Sequence, residues 1–466
     1  MKKLLTSLNN TQFVLSAFLL FTSQTIFARA GGGGGGHSSG GGGSSGFSSG
    51  GGYYGGGSGG GGHLNMSTII IIIAVVLIYL YLKKTGKLGG NTGGDDEEIN
   101  NISDQPLPEG LDKQKIQNSF LSIQDAWQKK DLKNVRKWVS DGVYQRFNAQ
   151  FEMMNKLQQT NKLTNIQVDG IKLAKTDVDG NYHTADVAIG FTMDDEFLSD
   201  KYPSFNQKFR GESAIEYWTF IKRNDAKAGK NLYDNNNCPN CGATFDLAMG
   251  EISRCSACGT LTNNAAYDWV LSEITQADDY NGGTNFNRLS ELQELTQHDS
   301  LFSVQRIEDV ASNVFMQTME VLSGASEKKL TRFADAETTQ SILQTKKQFG
   351  NFVFDRLYLN DVDLVDFNTD NERLNLIFAL KATYQRVEAS QNLKLIDNDM
   401  VTKTYAMVLS KNVKALQTAE KETVFSYECA NCGAPYTDTT NDVCQYCSAP
   451  LIDFNKNWVL TLFKIS

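Results

Sequence analysis

All eight cysteines of this 466-residue chain lie beyond residue 237, in two groups of four, and each group consists of two Cys-x-x-Cys pairs. Two such pairs can close a tetrahedral shell of four thiolates around one zinc ion. Four thiolates leave no open coordination position, so the pattern favours a structural metal site over a catalytic one. The predicted ligands of two structural zinc ions are Cys238, Cys241, Cys255 and Cys258 in the first group, and Cys429, Cys432, Cys444 and Cys447 in the second.

Glycine follows the second cysteine in three of the four pairs, and Ser448 follows it in the fourth. Glycine at this place lets the backbone turn so that amide groups approach the sulfur atoms. Disulfide bonds are an alternative interpretation, and which one holds depends on the compartment that contains the cysteines.

The first residues of the chain have the features of an export signal. Lys2 and Lys3 precede an apolar run over residues 13–21, and Ala28-Arg29-Ala30 offers a cleavage site. We therefore expect residues 1–30 to be a signal peptide. Residues 31–63 are almost entirely glycine and serine and cannot form a core, so we expect a disordered segment.

Residues 64–82 contain no charged side chain and are long enough, at 19 residues, to cross a bilayer core of about 30 Å as a helix. Lys83, Lys84 and Lys87 follow directly, and positive charge is retained on the cytoplasmic side. The sequence thus predicts a single-pass protein of the inner membrane, with its N-terminus outside and its body in the cytoplasm. That compartment keeps thiols reduced, which favours zinc over disulfide bonds. Residues 83–110 have the composition of a linker.

The charge of the chain argues against binding to nucleic acid. Residues 1–90 contain six basic residues and no acidic one, so the net charge of −9 leaves −15 on the rest of the chain. A body of this charge repels phosphate backbones. Zinc-ribbon binding of nucleic acid is therefore a weaker alternative.

The body contains two similar stretches, residues 111–280 and 300–466, joined by a linker at 281–299. In each stretch, apolar residues recur first at helical spacing and then at every second position, as in a strand. A four-cysteine insert follows, at 238–259 or 429–448. Each ends in a related strand, Asp268-Trp-Val-Leu-Ser272 or Asn457-Trp-Val-Leu-Thr461. We interpret the body as two α+β units, each with helices packed on an antiparallel sheet.

In the first unit, Ile116, Phe120, Ile123 and Trp127 recur at helical spacing. Asp131 is placed to cap a second helix that ends at Asp141-Gly142, with a third helix beyond. A hairpin turn is expected at Asp179-Gly180-Asn181, and strands are expected around residues 166–168, 185–191, 213–222 and 267–271. In the second unit we expect a helix from Val304 and strands at 356–365, 374–384 and 401–410.

Five basic residues lie between Trp127 and Trp138, and they allow two interpretations. They are either the solvated face of a helix or a contact with anionic lipid headgroups. We favour the solvated face, with both tryptophans in the core. The residues are Lys129, Lys130, Lys133, Arg136 and Lys137.

The stretch FLSIQDAWQKKDLKNVRKWVSDGVYQRFNAQFEMM at residues 120–154 resembles the start of the Tim44-like domain, named for the motor-anchor subunit of the mitochondrial inner-membrane translocase. The stretch NIQVDGIKLAKTDVDGNYHTADVAIGF at 165–191 resembles its first strands. The resemblance implies a cone-shaped fold like that of nuclear transport factor two, with an apolar pocket. It also implies a non-enzymatic domain that docks on a membrane and recruits a partner. The zinc inserts depart from the mitochondrial form.

No nucleophile motif, phosphate loop or helical pair of metal-binding carboxylates is present. The sequence therefore predicts a membrane-anchored scaffold that engages a protein partner or lipid at the cytoplasmic face, in protein transport or membrane-protein assembly. The alternative is a cone domain that binds, or acts on, a small apolar ligand.

Overall fold

The computed structural model describes residues 72–79 and 99–465, apart from 228, 246–252, 285, 287, 371, 417–442, 450, 451, 453 and 456. The predicted signal peptide, the Gly/Ser-rich segment and most of the predicted membrane helix lie outside these residues. Residues 72–79 form a helix. In the part of the chain that is described, no helix combines the length and the apolar character needed to cross a bilayer.

The first helix forms where the apolar spacing predicts it. Helix α1 runs over Lys113–Lys129, and its N-cap Asp112 accepts a hydrogen bond from the backbone N–H of Lys115. Ile116, Phe120 and Trp127 are buried on one face. The helix ends at Lys130, whose left-handed backbone stops the helical path.

The second helix of the first unit was predicted wrongly. Residues 131–139 contain only a short 3₁₀ helix, Arg136–Trp138, and helix α2 begins at Asp141 and runs over Asp141–Lys156. Asp131 accepts a hydrogen bond from the nearby N–H of Lys133, which closes a turn instead of capping a helix. Ser140 caps α2 by accepting a hydrogen bond from the N–H of Val143. Asp141-Gly142 therefore starts a helix where a break was expected.

Four antiparallel strands follow in the order β1-β2-β3-β4. Their bounds are β1 Gln159–Asp179, β2 Tyr182–Ser199, β3 Gln207–Arg223 and β4 Val270–Gln276. The predicted turn is confirmed, because β1 ends at Asp179 and Gly180 has a φ of +59°. The helices cover one face of this sheet, where the rings of Phe120 and Phe191 lie 4.8 Å apart.

The second half of the chain also places helices before a sheet. Its helices are α3 Leu289–Thr296, α4 Val304–Leu322, α5 Ala336–Phe349 and the single turn α6 Val413–Leu416. Its strands are β5 Val353–Asp370, β6 Arg373–Ala389, β7 Leu393–Leu395, β8 Val401–Asn412 and β9 Val459–Ile465. The sheet order is β5-β6-β8-β9, with β7 on β6. Helix α3 lies within the residues expected to be a linker.

The α+β class with two antiparallel sheets is confirmed. Both halves show the order helix, 3₁₀ turn, helix and antiparallel sheet. In each half, a residue just before the helix that leads into the sheet, α2 or α5, makes a parallel bridge to the last strand, namely Val139 with Leu271 and Ala334 with Leu460. This shared order agrees with the interpretation of two units, and their cone shape stays a prediction.

The two halves are joined through α2 and α4, by polar contacts that are buried. The Gln145 amide donates a 2.9 Å hydrogen bond to the Glu320 carboxylate. The Arg146 guanidinium donates to Ser312 of α4 at 2.9 Å, and also to Glu273 of β4 in its own half at 3.3 Å. Buried polar groups with specific partners favour a single docking geometry, because any shift would leave them unpaired.

Candidate metal centre

Four of the predicted ligands converge on one point. The sulfur atoms of Cys238, Cys241, Cys255 and Cys258 all lie within 4.8 Å of one another. Sγ of Cys238 is 3.7 Å from that of Cys258, and Sγ of Cys241 is 3.8 Å from that of Cys255. A tetrahedral zinc ion with Zn–S bonds of about 2.3 Å requires S–S edges of about 3.8 Å. The donor set and its spacing therefore fit one metal ion bound by four thiolates, and all four cysteines are free of disulfide bonds.

Each Cys-x-x-Cys pair is held by its own backbone. In the first, the N–H of Gly242 donates to the carbonyl of Cys238 at 2.9 Å, and the N–H of Cys238 donates to the carbonyl of Ala243 at 2.7 Å. In the second, Gly259 donates to Cys255 at 2.8 Å. Both glycines have positive φ, +77° and +72°, as their place after the cysteines predicts. Each Cys-x-x-Cys pair thus forms a short turn, called a knuckle below, that its own backbone hydrogen bonds hold in place.

The four thiols lie in unequal environments. Cys238 and Cys255 are buried, whereas Cys241 and Cys258 are exposed. Hydrogen bonding to Thr260, whose hydroxyl lies 3.2 Å from Sγ, lowers the pKa of the Cys258 thiol to about 6. Burial raises the pKa of Cys238 to about 12. The buried thiolate is therefore stable only beside a cation.

The knuckles occupy the loop between β3 and β4, and specific contacts fasten that loop to the helices. The ring of Tyr233 stacks on Trp138 at 4.8 Å, and the Lys137 ammonium donates to the carbonyl of Asn235 at 2.9 Å. The buried carboxylate of Asp268 accepts hydrogen bonds from Lys115 at 3.1 Å and from the N–H of Leu232 at 3.0 Å. The loop is thus attached to α1, to the 3₁₀ turn and to the start of β4.

The sequence did not indicate this attachment. Lys137 was expected on a solvated face, yet it is buried against the cysteine loop. Arg136 is fully buried, donates to the carbonyl of Val139 at 2.9 Å and pairs with Asp141. The solvated-face interpretation is wrong for these two residues, because a 3₁₀ turn directs them inward. Trp127 and Trp138 lie in the core, as expected.

Only half of the second cysteine group lies within the described residues. Cys444 is buried and Cys447 is half-buried. The N–H of Ser448 donates to the carbonyl of Cys444 at 2.8 Å, the same bond that Gly242 and Gly259 make in the first group. Ser448 adopts a φ of +58° without being glycine. Cys429 and Cys432 lie outside the described residues, so the second predicted site stays a prediction.

A cavity lies where α2 meets β4 and β5, and it bears on the small-ligand alternative. It is lined by Val143, Phe147, Ile274, Tyr358 and neighbouring side chains, and its volume is about 10 Å³. That is room for about one water molecule. This cavity gives no support to binding of an organic ligand.

The first half thus has the fold of an α+β domain with two helices on a four-stranded antiparallel sheet. Residues 113–231, from α1 to the end of β3 and just beyond, match the family model of the Tim44-like domain. The chain therefore carries a Tim44-like domain, which confirms the resemblance found in its sequence, and the match ends before Cys238. No curated protein and no solved structure matches the chain. At the level of the family, Tim44-like domains are non-catalytic binding domains linked to membranes and protein transport.

Proposed function

We propose that the protein is a membrane-anchored, non-enzymatic scaffold that holds a protein partner at the cytoplasmic face of the inner membrane. The observation that carries this proposal is the Tim44-like domain at residues 113–231. The apolar run at 64–82, followed by three lysines, supports the anchoring. Protein transport or membrane-protein assembly is the process in which such a scaffold acts.

The way in which the two halves are joined supports a scaffold role. Helices α2 and α4 pack through buried polar contacts, including those of Gln145 and Arg146 with the second half. A body of two firmly joined sheets presents a partner with a surface of constant geometry, which lowers the entropic cost of binding.

We infer that zinc occupies the first cysteine group and that a second zinc occupies the other group. Zinc fits because four thiolates at tetrahedral spacing select it over cations that prefer oxygen ligands. Its chemistry here is structural. By holding the loop between β3 and β4, the ion keeps Tyr233 stacked on Trp138 and Lys137 hydrogen-bonded to that loop.

Two measurements on the full-length protein in cells test the function. After carbonate extraction of the membrane fraction, the proposal expects the protein in the membrane pellet. In-cell crosslinking followed by affinity purification should recover proteins of the membrane or of secretion. The matched control is a variant with Cys255→Ser and Cys258→Ser, which removes two metal ligands. Because it leaves residues 64–82 intact, it should stay in the membrane pellet. Extraction of the protein into the soluble fraction, or recovery of no membrane or secretion protein, would contradict the proposal.

A further inference from the structure

The outer face of the second sheet carries an apolar patch that belongs to neither main core. Side chains alternate along a strand, so Leu376 and Phe378 of β6 face the helices while Ile377 and Ala379 face outward. The outward residues nevertheless are almost completely buried. The patch consists of Val365, Ile377, Ala379, Ala406, Val408 and Leu462, which come from four neighbouring strands.

The strand register gives this patch the shape of a shallow trough. Ala379 lies directly opposite Ala406, and Ile377 lies directly opposite Val408. The small side chains of Ala379 and Ala406 form the floor of the trough, and the larger side chains of Ile377 and Val408 form a wall beside it. Four strands span about 14 Å, which is close to the length of about 12 Å of an eight-residue helix.

Polar residues border the patch on β6, and they are satisfied by the sheet and its own neighbours. Asn375 accepts a 2.6 Å hydrogen bond from Ser410 and donates one of 2.9 Å to Asn368. Lys381 pairs with Asp279. The register places Asp363 of β5 opposite Ala379 and Lys464 of β9 opposite Ala406, so charged side chains lie at the two edges of the trough. Its centre is formed by uncharged side chains and therefore suits the apolar face of a helix.

Residues 72–79 of this chain form such a helix, and they lie in the trough. Ile72 and Val76, one turn apart, are 1% and 0% exposed, and Val75 and Tyr79 flank them. Ile78, on the opposite side of the helix, is 58% exposed. One face of the helix thus packs on the sheet, as expected for residues at i and i+4.

This position competes with the bilayer for the same residues. If 72–79 lie on the sheet, the uncharged run at 64–82 retains only residues 64–71 at its start. Eight helical residues span about 12 Å, far short of a bilayer core of about 30 Å. The segment cannot occupy both places at once.

We propose that the outer face of the second sheet is a binding site for residues 72–79 of the same chain, and that it takes this helix whenever the helix is outside the bilayer. The site keeps a membrane-type segment covered in water, because an exposed apolar patch of this kind promotes association between molecules. The proposal goes beyond the scaffold function and does not depend on which partner the scaffold holds.

Photo-crosslinking of the full-length chain tests the site. The chain is synthesised in a membrane-free translation extract with a photoreactive phenylalanine analogue at position 76 or, as the matched control, at position 78. The expected result is an intramolecular crosslink from position 76 to a peptide containing residue 365, 377, 379, 406, 408 or 462, and none from position 78. Absence of that crosslink at 76, or equal crosslinks from both positions, would overturn the proposal.

Three further arms keep the result interpretable. Ala406→Phe fills the floor of the trough and should abolish the crosslink, whereas Leu395→Phe, elsewhere in the same sheet, should not. Mixing two differently tagged copies should give no crosslink between copies, and a crosslink between them would overturn occupancy by the same chain.

Adding phosphatidylcholine–phosphatidylglycerol vesicles during synthesis should reduce the crosslink, and an unchanged yield would refute competition with the bilayer. Loss of membrane association in carbonate extraction would count against the proposed function and not against this site.

Discussion

The outer faces of the two sheets are closed in different ways. On the first sheet, Ile99 packs against Gly170 and Gly190, where an added Cβ would come within 2.9–3.0 Å of it, and Tyr280 stacks on Tyr217 in the same cluster. On the second sheet, an entire helix covers an alanine floor. The difference teaches that two halves with a similar order of elements can have different outer surfaces. The first is closed by side chains that shortly precede and follow its own elements, such as Ile99 and Tyr280. The second depends on a segment predicted to enter a membrane.

The cysteine groups extend this comparison, and they give the largest expected effect. Cys255→Ser should remove one zinc from the first half, and Cys447→Ser should remove one from the second. Each change should cost about 5 kcal/mol or more of local stability, because metal binding organises a loop that has no core of its own. Zinc content and limited proteolysis measure this, with Ser256→Ala as the control. Unchanged zinc content and protease resistance would show that the loop is not held by metal.

The stability that the junction between the halves contributes should depend on pH. The pKa of Asp309 is raised to about 7, mainly by burial and also by the charge of Asp141, while the hydrogen bond from Ser140 opposes the rise. A carboxyl whose pKa is higher in the folded state favours folding when it is protonated. Stability should therefore fall as pH rises from about 4 to about 7, by at most about 4 kcal/mol from this group. Urea denaturation at several pH values should show a smaller fall for Asp309→Asn, and an equal fall would exclude Asp309 as its source.

Close packing at the same junction predicts a third effect. A Cβ on Gly142 would lie 2.5 Å from the backbone oxygen of Asp309, which cannot move away without shifting α4. Gly142→Val should cost about 3 kcal/mol and loosen the two halves, since overpacking displaces the backbone. Glu152→Val, an exposed change on the same helix, is the control for helix propensity. Equal stability of the two variants in thermal denaturation would mean that the halves do not pack as described.

The two outer faces can be compared directly by truncation. Ile99→Ala should destabilise the first half by about 2 kcal/mol, and Val76→Ala should destabilise the second by about 1 kcal/mol, in proportion to the buried carbon atoms that are lost. Hydrogen exchange of β2 and β6 measures each sheet separately. If Ile99→Ala altered β6 rather than β2, the assignment of one N-terminal contact to each sheet would be wrong.

The smallest effect concerns the knuckles. Ser448 has a φ of +58°, and Gly259, at the equivalent place in the first group, has a φ of +72°. Ser448→Gly should stabilise the second knuckle by about 0.5–1 kcal/mol, because glycine adopts this conformation without steric cost. Gly259→Ser should do the reverse in the first. The rate of zinc release to a chelator reports both, and faster release from Ser448→Gly would contradict the explanation.

Local signals in the sequence predicted much of the fold. The helical spacing of Ile116, Phe120 and Trp127 gave α1, and Asp179-Gly180-Asn181 gave the first hairpin turn. The spacing of the cysteines predicted that the four sulfur atoms of the first group lie close together, as they do in the structure. In each case the information lies within a few neighbouring residues.

Features that depend on contacts between distant residues could not be predicted. Residues 131–139 have the period of a helix, but Lys137 is buried against Asn235, which lies 98 residues further along the chain, and the segment forms a 3₁₀ turn instead. Asp268 was noted only as part of a repeated strand, although it joins the cysteine loop to α1. The hydropathy of residues 72–79 suits a bilayer and an apolar trough equally well, so composition does not distinguish them.

The central claim is that each half contains a four-thiolate zinc centre kept in a reducing compartment. The most direct test is to purify the full-length protein without chelators and to measure its zinc and its reactive thiols. The account predicts two zinc ions per chain and eight thiols that react with an alkylating reagent only after a chelator is added. Disulfide bonds within the two groups, with no bound zinc, would contradict both the metal centres and the cytoplasmic placement of the body.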